Sequence, residues 1–312
     1  MSQTETTKDT PEAPKEPSAI ERMLTLRQFP GFDEAELGEL AIVADNVVEQ
    51  TFEAGQEVSG IGRSPALLLV VDGTLTGRTS GRVWNQHEVL HTLEAMAGRR
   101  TKEAIVAQTA AKTLRIAAKD FVEILEDNFG FLCNVRRTLA RRLLTIAAPP
   151  PPSEGVEVID IAAQPLGMVE RLITLRKHVP FAKGRIEALA ALAQASEEIR
   201  LPANAQIGRV GEPASSMLIL LEGSAQLSRT GGPPVVIGPG QAIGALETLG
   251  EVPFTATIRG LAGIRALRFP AAALFDVLED HTDLALSMVE SFAAAILDAG
   301  VIEAFTDPSH VN

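Results

Sequence analysis

The sequence predicts an α+β protein of two tandem β-barrel or jelly-roll units, each flanked by helices. Three observations carry that prediction: the chain repeats itself, each copy holds several short apolar runs bounded by turn residues, and those runs lie between helical patterns. The repeat is read directly. "LTLRQFPGFDEAELGELA" at 24–41 returns as "ITLRKHVPFAKGRIEALA" at 173–190, with Leu26 falling on Leu175. "FEAGQEV" at 52–58 returns at the same offset as "LPANAQI" at 201–207. "LLLVVDG" at 67–73 then falls on "MLILLEG" at 217–223, and "LRIAAKDFVEILEDN" at 114–128 on "LRFPAAALFDVLEDH" at 267–281. Four blocks in the same order, displaced from one another by a few residues only, are the mark of a duplicated unit.

Residues 1–19 are polar and proline-rich with no apolar run, which predicts a disordered tail and no ordinary secretory signal. The first unit is placed at 20–147. It opens on a helix in which Leu37, Leu40, Ala41 and Ala44 recur at three- and four-residue intervals. "ALLLVVDGTL" and "KTLRIA" follow as strands, with a tight turn at Asp72 and Gly73, and helices close the unit at 118–127 and 129–147. A linker at 148–167 contains "APPPPSEG", a composition that favours extended polyproline II. The second unit, at 168–304, repeats the plan: a helix through Ile186, Leu189 and Leu192, strands "MLILLEGSAQL" and "GIRALRF", a turn at Glu222 and Gly223, and helices at 270–281 and 283–305. Residues 305–312 are read as a tail.

Composition narrows the function. The 312 residues are 46% hydrophobic but only 4% aromatic and contain no tyrosine, so the cores must be filled by aliphatic side chains. One cysteine, Cys133, leaves no intramolecular disulfide and no cysteine-based zinc site, which fits a reducing, cytoplasmic setting. The five histidines are scattered with no metal-ligand spacing, so no metal is expected. No stretch reaches the roughly 18 apolar residues of a membrane span. A formal net charge of −12 opposes collection of nucleic acid phosphates, and no helix-turn-helix follows the last helix, so no DNA partner is expected. The basic cluster Arg136, Arg137, Arg141 and Arg142 flanks Val135, Leu139, Leu143 and Leu144 at helical spacing, which predicts an amphipathic helix with a basic solvent face. No nucleophile elbow, Walker loop or paired-carboxylate motif is present, so the chain is not expected to be an enzyme.

"LPANAQIGRVGEPASSMLILLEGSAQLS", with Gly211, Glu212, Pro213 and Gly223, resembles the strand and turn signature of the cyclic nucleotide-binding domain superfamily. "FEAGQEV" followed by "LLLVVDGTL" gives the first copy the same look. The resemblance covers residues 20–146 and 168–300 and implies two tandem, degenerate cyclic nucleotide-binding-like domains. In that family a short helix entered through Gly-Glu, followed by an arginine and a threonine leading into a strand, forms the phosphate-binding cassette. Helix-start N–H groups receive the cyclic phosphate, the arginine neutralises it, and the glutamate takes the ribose 2′-OH.

"IGALETLGEVPFTATI" at 243–258 sets Gly244 on the glycine and Thr257 on the threonine, but Ala245 on the glutamate and Phe254 on the arginine. The first copy sets His91 on the glycine, Thr92 on the glutamate and Thr101 on the arginine, with Arg99 and Arg100 one or two residues away, where a shifted loop would present a guanidinium. The resemblance therefore implies lost charge contacts in both copies. Leaving a buried phosphate without its cation costs about 3–5 kcal/mol, by analogy with a broken buried ion pair. Candidate ligand-binding residues are Gly244, Ala245, Glu247, Phe254, Thr255, Thr257, Arg99 and Arg100. Glu247 reads as a solvated or capping carboxylate and Phe254 as a ring filling an apolar hole. No cofactor is expected, cAMP and cGMP being disfavoured. The expected role is a non-catalytic regulatory or scaffolding protein acting on a protein partner, with helices 131–147 and 284–305 as contact faces, self-association included. The alternative is a sensor of a cyclic nucleotide or another small ligand that transmits binding to a partner.

Overall fold

The computed structural model describes residues 18–32, 35–146 and 164–300. The expected tail up to residue 17, most of the expected linker and everything from residue 301 lie outside the described residues. The first helix, α1 (Ala19–Leu26), starts inside the stretch assigned to the tail. Its start is written in the sequence as a capping box: the Ser18 hydroxyl accepts from the Glu21 N–H, and the Glu21 carboxylate accepts from the Ser18 N–H at 2.7 Å. Helix α2 (Leu37–Asn46) follows and packs on α1.

Eight strands then build the first unit: β1 (Val48–Phe52), β2 (Glu57–Ser59), β3 (Ala66–Asp72), β4 (Leu75–Gly77), β5 (Val83–Trp84), β6 (Val89–Leu90), β7 (Ile105–Ala107) and β8 (Ala111–Ala117), with the short helix α3 (Thr92–Met96) between β6 and β7. They form two antiparallel four-stranded sheets in the orders β1-β8-β3-β6 and β2-β7-β4-β5. Helices α4 (Ala118–Asp127) and α5 (Phe129–Thr145) complete the unit.

The second unit reproduces the plan element by element. Helices α6 (Met168–Lys177) and α7 (Ile186–Ala195) precede β9 (Glu197–Leu201), β10 (Gln206–Gly208), β11 (Ser216–Glu222), β12 (Ala225–Ser228), β13 (Val235–Ile237) and β14 (Ala242–Ile243). The short helix α8 (Ala245–Gly250), β15 (Thr257–Gly260), β16 (Ile264–Pro270), α9 (Ala271–Asp280) and α10 (Thr282–Asp298) follow. Its sheets run β14-β11-β16-β9 and β10-β15-β12-β13, the first unit's connectivity with every strand in the equivalent place. Two facing antiparallel sheets of four strands in each unit are the expected jelly roll.

The central strands read as continuous apolar runs because both their faces are buried. In β3, Leu68 and Val70 enter the barrel interior with Leu75, Trp84 and Ile105, while Leu67 and Leu69 face the helices. In β11, Leu218 and Leu220 point inward and Met217, Ile219 and Leu221 point to the helices. Both strands end in a register shift before a glycine of positive φ, Gly73 at 83° and Gly223 at 84°. A Cβ there would stand 2.3 Å from the Ala110 carbonyl oxygen in the first unit and 2.1 Å from that of Gly263 in the second, so these turns admit only glycine.

The helix-facing core is shared. One apolar cluster runs through α2, α4 and α5 of the first unit and α7, α9 and α10 of the second. Helices α5 and α10 pack on each other; α5 also packs on α8, and α10 on α3, so each closing helix reaches the short helix of the opposite unit. This corrects in part the expectation of a basic solvent face on α5. The correction is confined to Arg136, which is 1% exposed under the second unit, whereas Arg141 is exposed and Arg137 and Arg142 are half-buried. Among the described residues no helix is long and apolar enough to cross a membrane.

Candidate cassette sites

The two loops that correspond to a phosphate cassette share one backbone frame. Each short helix is entered through a residue in the left-handed region, His91 at φ 63° and Gly244 at φ 69°. After the helix the Arg99 N–H donates to the Glu94 carbonyl at 2.9 Å, as the Val252 N–H does to that of Glu247 at 3.0 Å. Two further bonds tie each loop to the turn after the second strand. Thr101 exchanges them with Arg63 and Gly62, and Phe254 with Glu212 and Gly211. With the backbone held in common, the units differ in side chains.

In the second unit Phe254 turns inward to the barrel core beside Leu218, Ile243 and Ile258 and is 8% exposed. Its ring lies against two glycines: a Cβ at Gly208 would come within 2.8 Å of the ring and one at Gly244 within 2.9 Å. Glu247 is 6% exposed, not the solvated carboxylate expected, and accepts a 2.7 Å bond from the Thr255 hydroxyl. That bond compensates the carboxylate's burial from within the loop. Ala245 is half-buried against the shared helical core, and Thr257 opens β15, paired with Ser228. The structure thus gathers Gly244, Ala245, Glu247, Phe254 and Thr255 into one loop with Thr257 at its exit.

Arg99 and Arg100 belong to the other unit and leave its loop in different directions. Arg99 makes a bidentate pair with Asp298 at the end of α10, at 2.5 and 2.8 Å, and Arg100 donates to the Gly62 carbonyl at 2.6 Å. Thr101, which stands at the arginine position, is 3% exposed and donates to the Gly60 carbonyl at 2.7 Å. The helix entrance carries three buried polar atoms without a hydrogen-bond partner: His91 Nε2, Thr92 Oγ1 and Glu94 Oε2. Burial holds the His91 imidazole below its usual pKa, against the opposing pull of Glu94 and Glu103.

The residues that join the loops to the opposite unit were not singled out as a site in the sequence. Glu251, the left-handed residue that ends α8, accepts from Arg136 at 2.9 Å and lies 3.2 Å from Arg137 Nε, while Arg141 donates to the Gly250 carbonyl at 2.8 Å. Arg136 also lies 4.6 Å over the Phe275 ring. The available signal was a run of four arginines with an acidic residue in the opposite cassette. Among the described residues no group of His, Cys, Asp and Glu could hold a metal ion.

Residues 198–281 match the family model of the cyclic nucleotide-binding domain. Among solved structures, the regulatory domain of Toxoplasma gondii PKA with cAMP aligns at 16% identity over 91% of this chain and 99% of its own, with a TM-score of 0.34. The regulatory subunit of a cAMP-independent protein kinase A from Trypanosoma cruzi, bound to guanosine, aligns at 13% identity over 89% and 91%, TM-score 0.33. The N-terminal domain of a transcriptional regulator from Streptomyces coelicolor A3(2) aligns at 24% identity over 42% of this chain and 97% of its own, TM-score 0.38. No curated protein matches. The second unit thus carries the match to the cyclic nucleotide-binding domain family, and the first repeats its eight-strand frame.

Proposed function

We propose that this chain is a non-catalytic regulatory module whose two cyclic nucleotide-binding-like units are degenerate and act through protein contacts, with neither cAMP nor cGMP as cofactor. One observation carries the reading: the Phe254 ring lies against Gly208 and Gly244, in the space in front of the helix entrance where a phosphate would have to sit. An apolar ring in place of a guanidinium removes both the room and the neutralising charge. The buried carboxylate of the same loop, Glu247, is already engaged by Thr255. Titration calorimetry of the intact chain with cAMP, cGMP and a cyclic dinucleotide, up to about a millimolar, is expected to give no saturable heat. Saturation in the micromolar range, about −8 kcal/mol of binding free energy, overturns the reading.

A second reading has its own support. The unpartnered His91, Thr92 and Glu94 atoms make the first unit the place where a ligand supplying hydrogen bonds would gain most. It predicts heat abolished by Thr92→Val and untouched by Phe254→Ala.

A further inference from the structure

We propose that Gln164–Leu166, the end of the expected linker, is a strap clasped between the second barrel and α6, which latches that helix where its counterpart α1 has no such hold. The barrel side of the clasp is Arg265 of β16. Its side chain is 3% exposed and reaches Glu198 of β9 at 2.7 Å, Glu222 at the end of β11 at 2.8 Å, and the Gln164 carbonyl at 2.6 Å. Glu198 in turn accepts from the Leu166 N–H at 2.7 Å. One guanidinium thus joins two carboxylates and a strap carbonyl, which its rigid fork of donors allows.

The helix side of the clasp is Arg171 of α6. It donates to the Leu166 carbonyl at 3.2 Å and, at the end of α7, to the carbonyls of Ala193 and Ser196 at 3.2 and 2.6 Å. Between the two arginines Leu166 is buried in the shared apolar core. Helix α6 has little other hold: Leu175, in its last turn, is its one buried residue, with Leu172 packed partly against the core. The strap therefore carries any displacement of the linker's end to α6, and through Arg171 to the junction of α7 with β9.

The first unit has the same residues in place without the clasp. The repeat sets Arg22 on Arg171, Glu49 on Glu198 and Lys112 on Arg265. Lys112 pairs with Glu49 at 2.8 Å, but both side chains are part-exposed and the ammonium reaches no backbone carbonyl among the described residues. Arg22 Nε is buried without a hydrogen-bond partner. The residue aligned with Leu166 is Pro17, which has no N–H to give Glu49.

The test is hydrogen exchange of the intact chain, read by peptide mass spectrometry. In the parent, amides at 171–175 are expected to exchange about tenfold more slowly than the equivalent amides at 22–26, the difference expected from one added charged hydrogen bond. Arg265→Lys, which keeps the charge and loses the fork, is expected to raise exchange at 171–177 about tenfold while 22–26 and 216–222 keep their rates. Arg171→Lys serves as the second variant and is expected to act on the same amides from the helix side. Equal protection of the two helices in the parent, no change at 171–177 in either variant, or an equal rise at 216–222, which marks general loss of stability, overturns the proposal.

Discussion

The two short helices of this chain sit in the same backbone frame and differ in nearly every side chain that matters. In the second unit the cassette loop has become part of the barrel core. Phe254 fills it, Glu247 and Thr255 satisfy each other, and a buried arginine from the opposite unit fixes its end. In the first unit the loop keeps small polar residues, leaves three of their atoms unpartnered and is held to the opposite unit through an exposed ion pair. The contrast teaches that one backbone frame, fixed by its own hydrogen bonds and its left-handed entry residue, accommodates quite different side chains.

The largest expected effect separates the two loops by what fills them. Phe254→Ala removes a buried ring from the second barrel and is expected to cost about 3–5 kcal/mol in denaturant unfolding. Thr101→Ala at the equivalent place in the first unit removes one hydroxyl bond and is expected to cost about 1 kcal/mol. Similar losses would mean that the first loop is as tightly packed as the second.

Acid should act on both units, with the stronger effect traced to the second. Burial pushes His178 down to about 4 from an ordinary 6.5, while its contact with the Gly240 backbone offsets part of that. The folded state therefore binds fewer protons than the unfolded chain between those values. The stability it confers is complete above about pH 6.5 and drains away as pH falls toward 4, by about 3 kcal/mol. His91 acts in the same direction. The residue equivalent to His178 in the first unit is Phe29, so His178→Phe is expected to flatten the fall in unfolding midpoint between pH 6.5 and 4; an unchanged slope would move the effect elsewhere.

The inter-unit charges give smaller differences. Glu251→Gln leaves the buried Arg136 with a weaker acceptor and is expected to cost about 1.5–3 kcal/mol. Arg99→Gln, at an exposed pair, is expected to cost less than about 1 kcal/mol, and less still in high salt. Reversal of that order would contradict the burial on which the comparison rests.

Much of the architecture was legible because it was written twice. The matched blocks at 24–41 and 173–190 and at 114–128 and 267–281 announced the duplication, and the runs around Leu68 and Leu218 announced strands buried on both faces. Several two- and three-residue strands, such as Val83–Trp84 and Ala242–Ile243, were not read, since so short a segment shows no period. Helix α1 was missed although Ser18 and Glu21 spell its capping box. At the loops, the inward setting of Phe254 followed from its type, but the burial of Glu247 did not, because a carboxylate on a short helix is ordinarily solvated and only Thr255, eight residues on, makes burial tolerable. Arg136 misled for the same reason: an arginine beside aliphatic residues at helical spacing reads as a wet face until the covering unit is known. Contacts between residues more than a hundred positions apart leave no periodic mark.

The measurement that bears most directly on the central claim is a titration of cAMP into the intact chain beside the same chain carrying Phe254→Arg and Ala245→Glu, both checked for folding. If the second unit keeps the frame of a phosphate site and has lost only its charges and its space, the parent stays silent and the double variant gives saturable heat. Saturable heat from the parent, or silence from a folded double variant, would contradict the account.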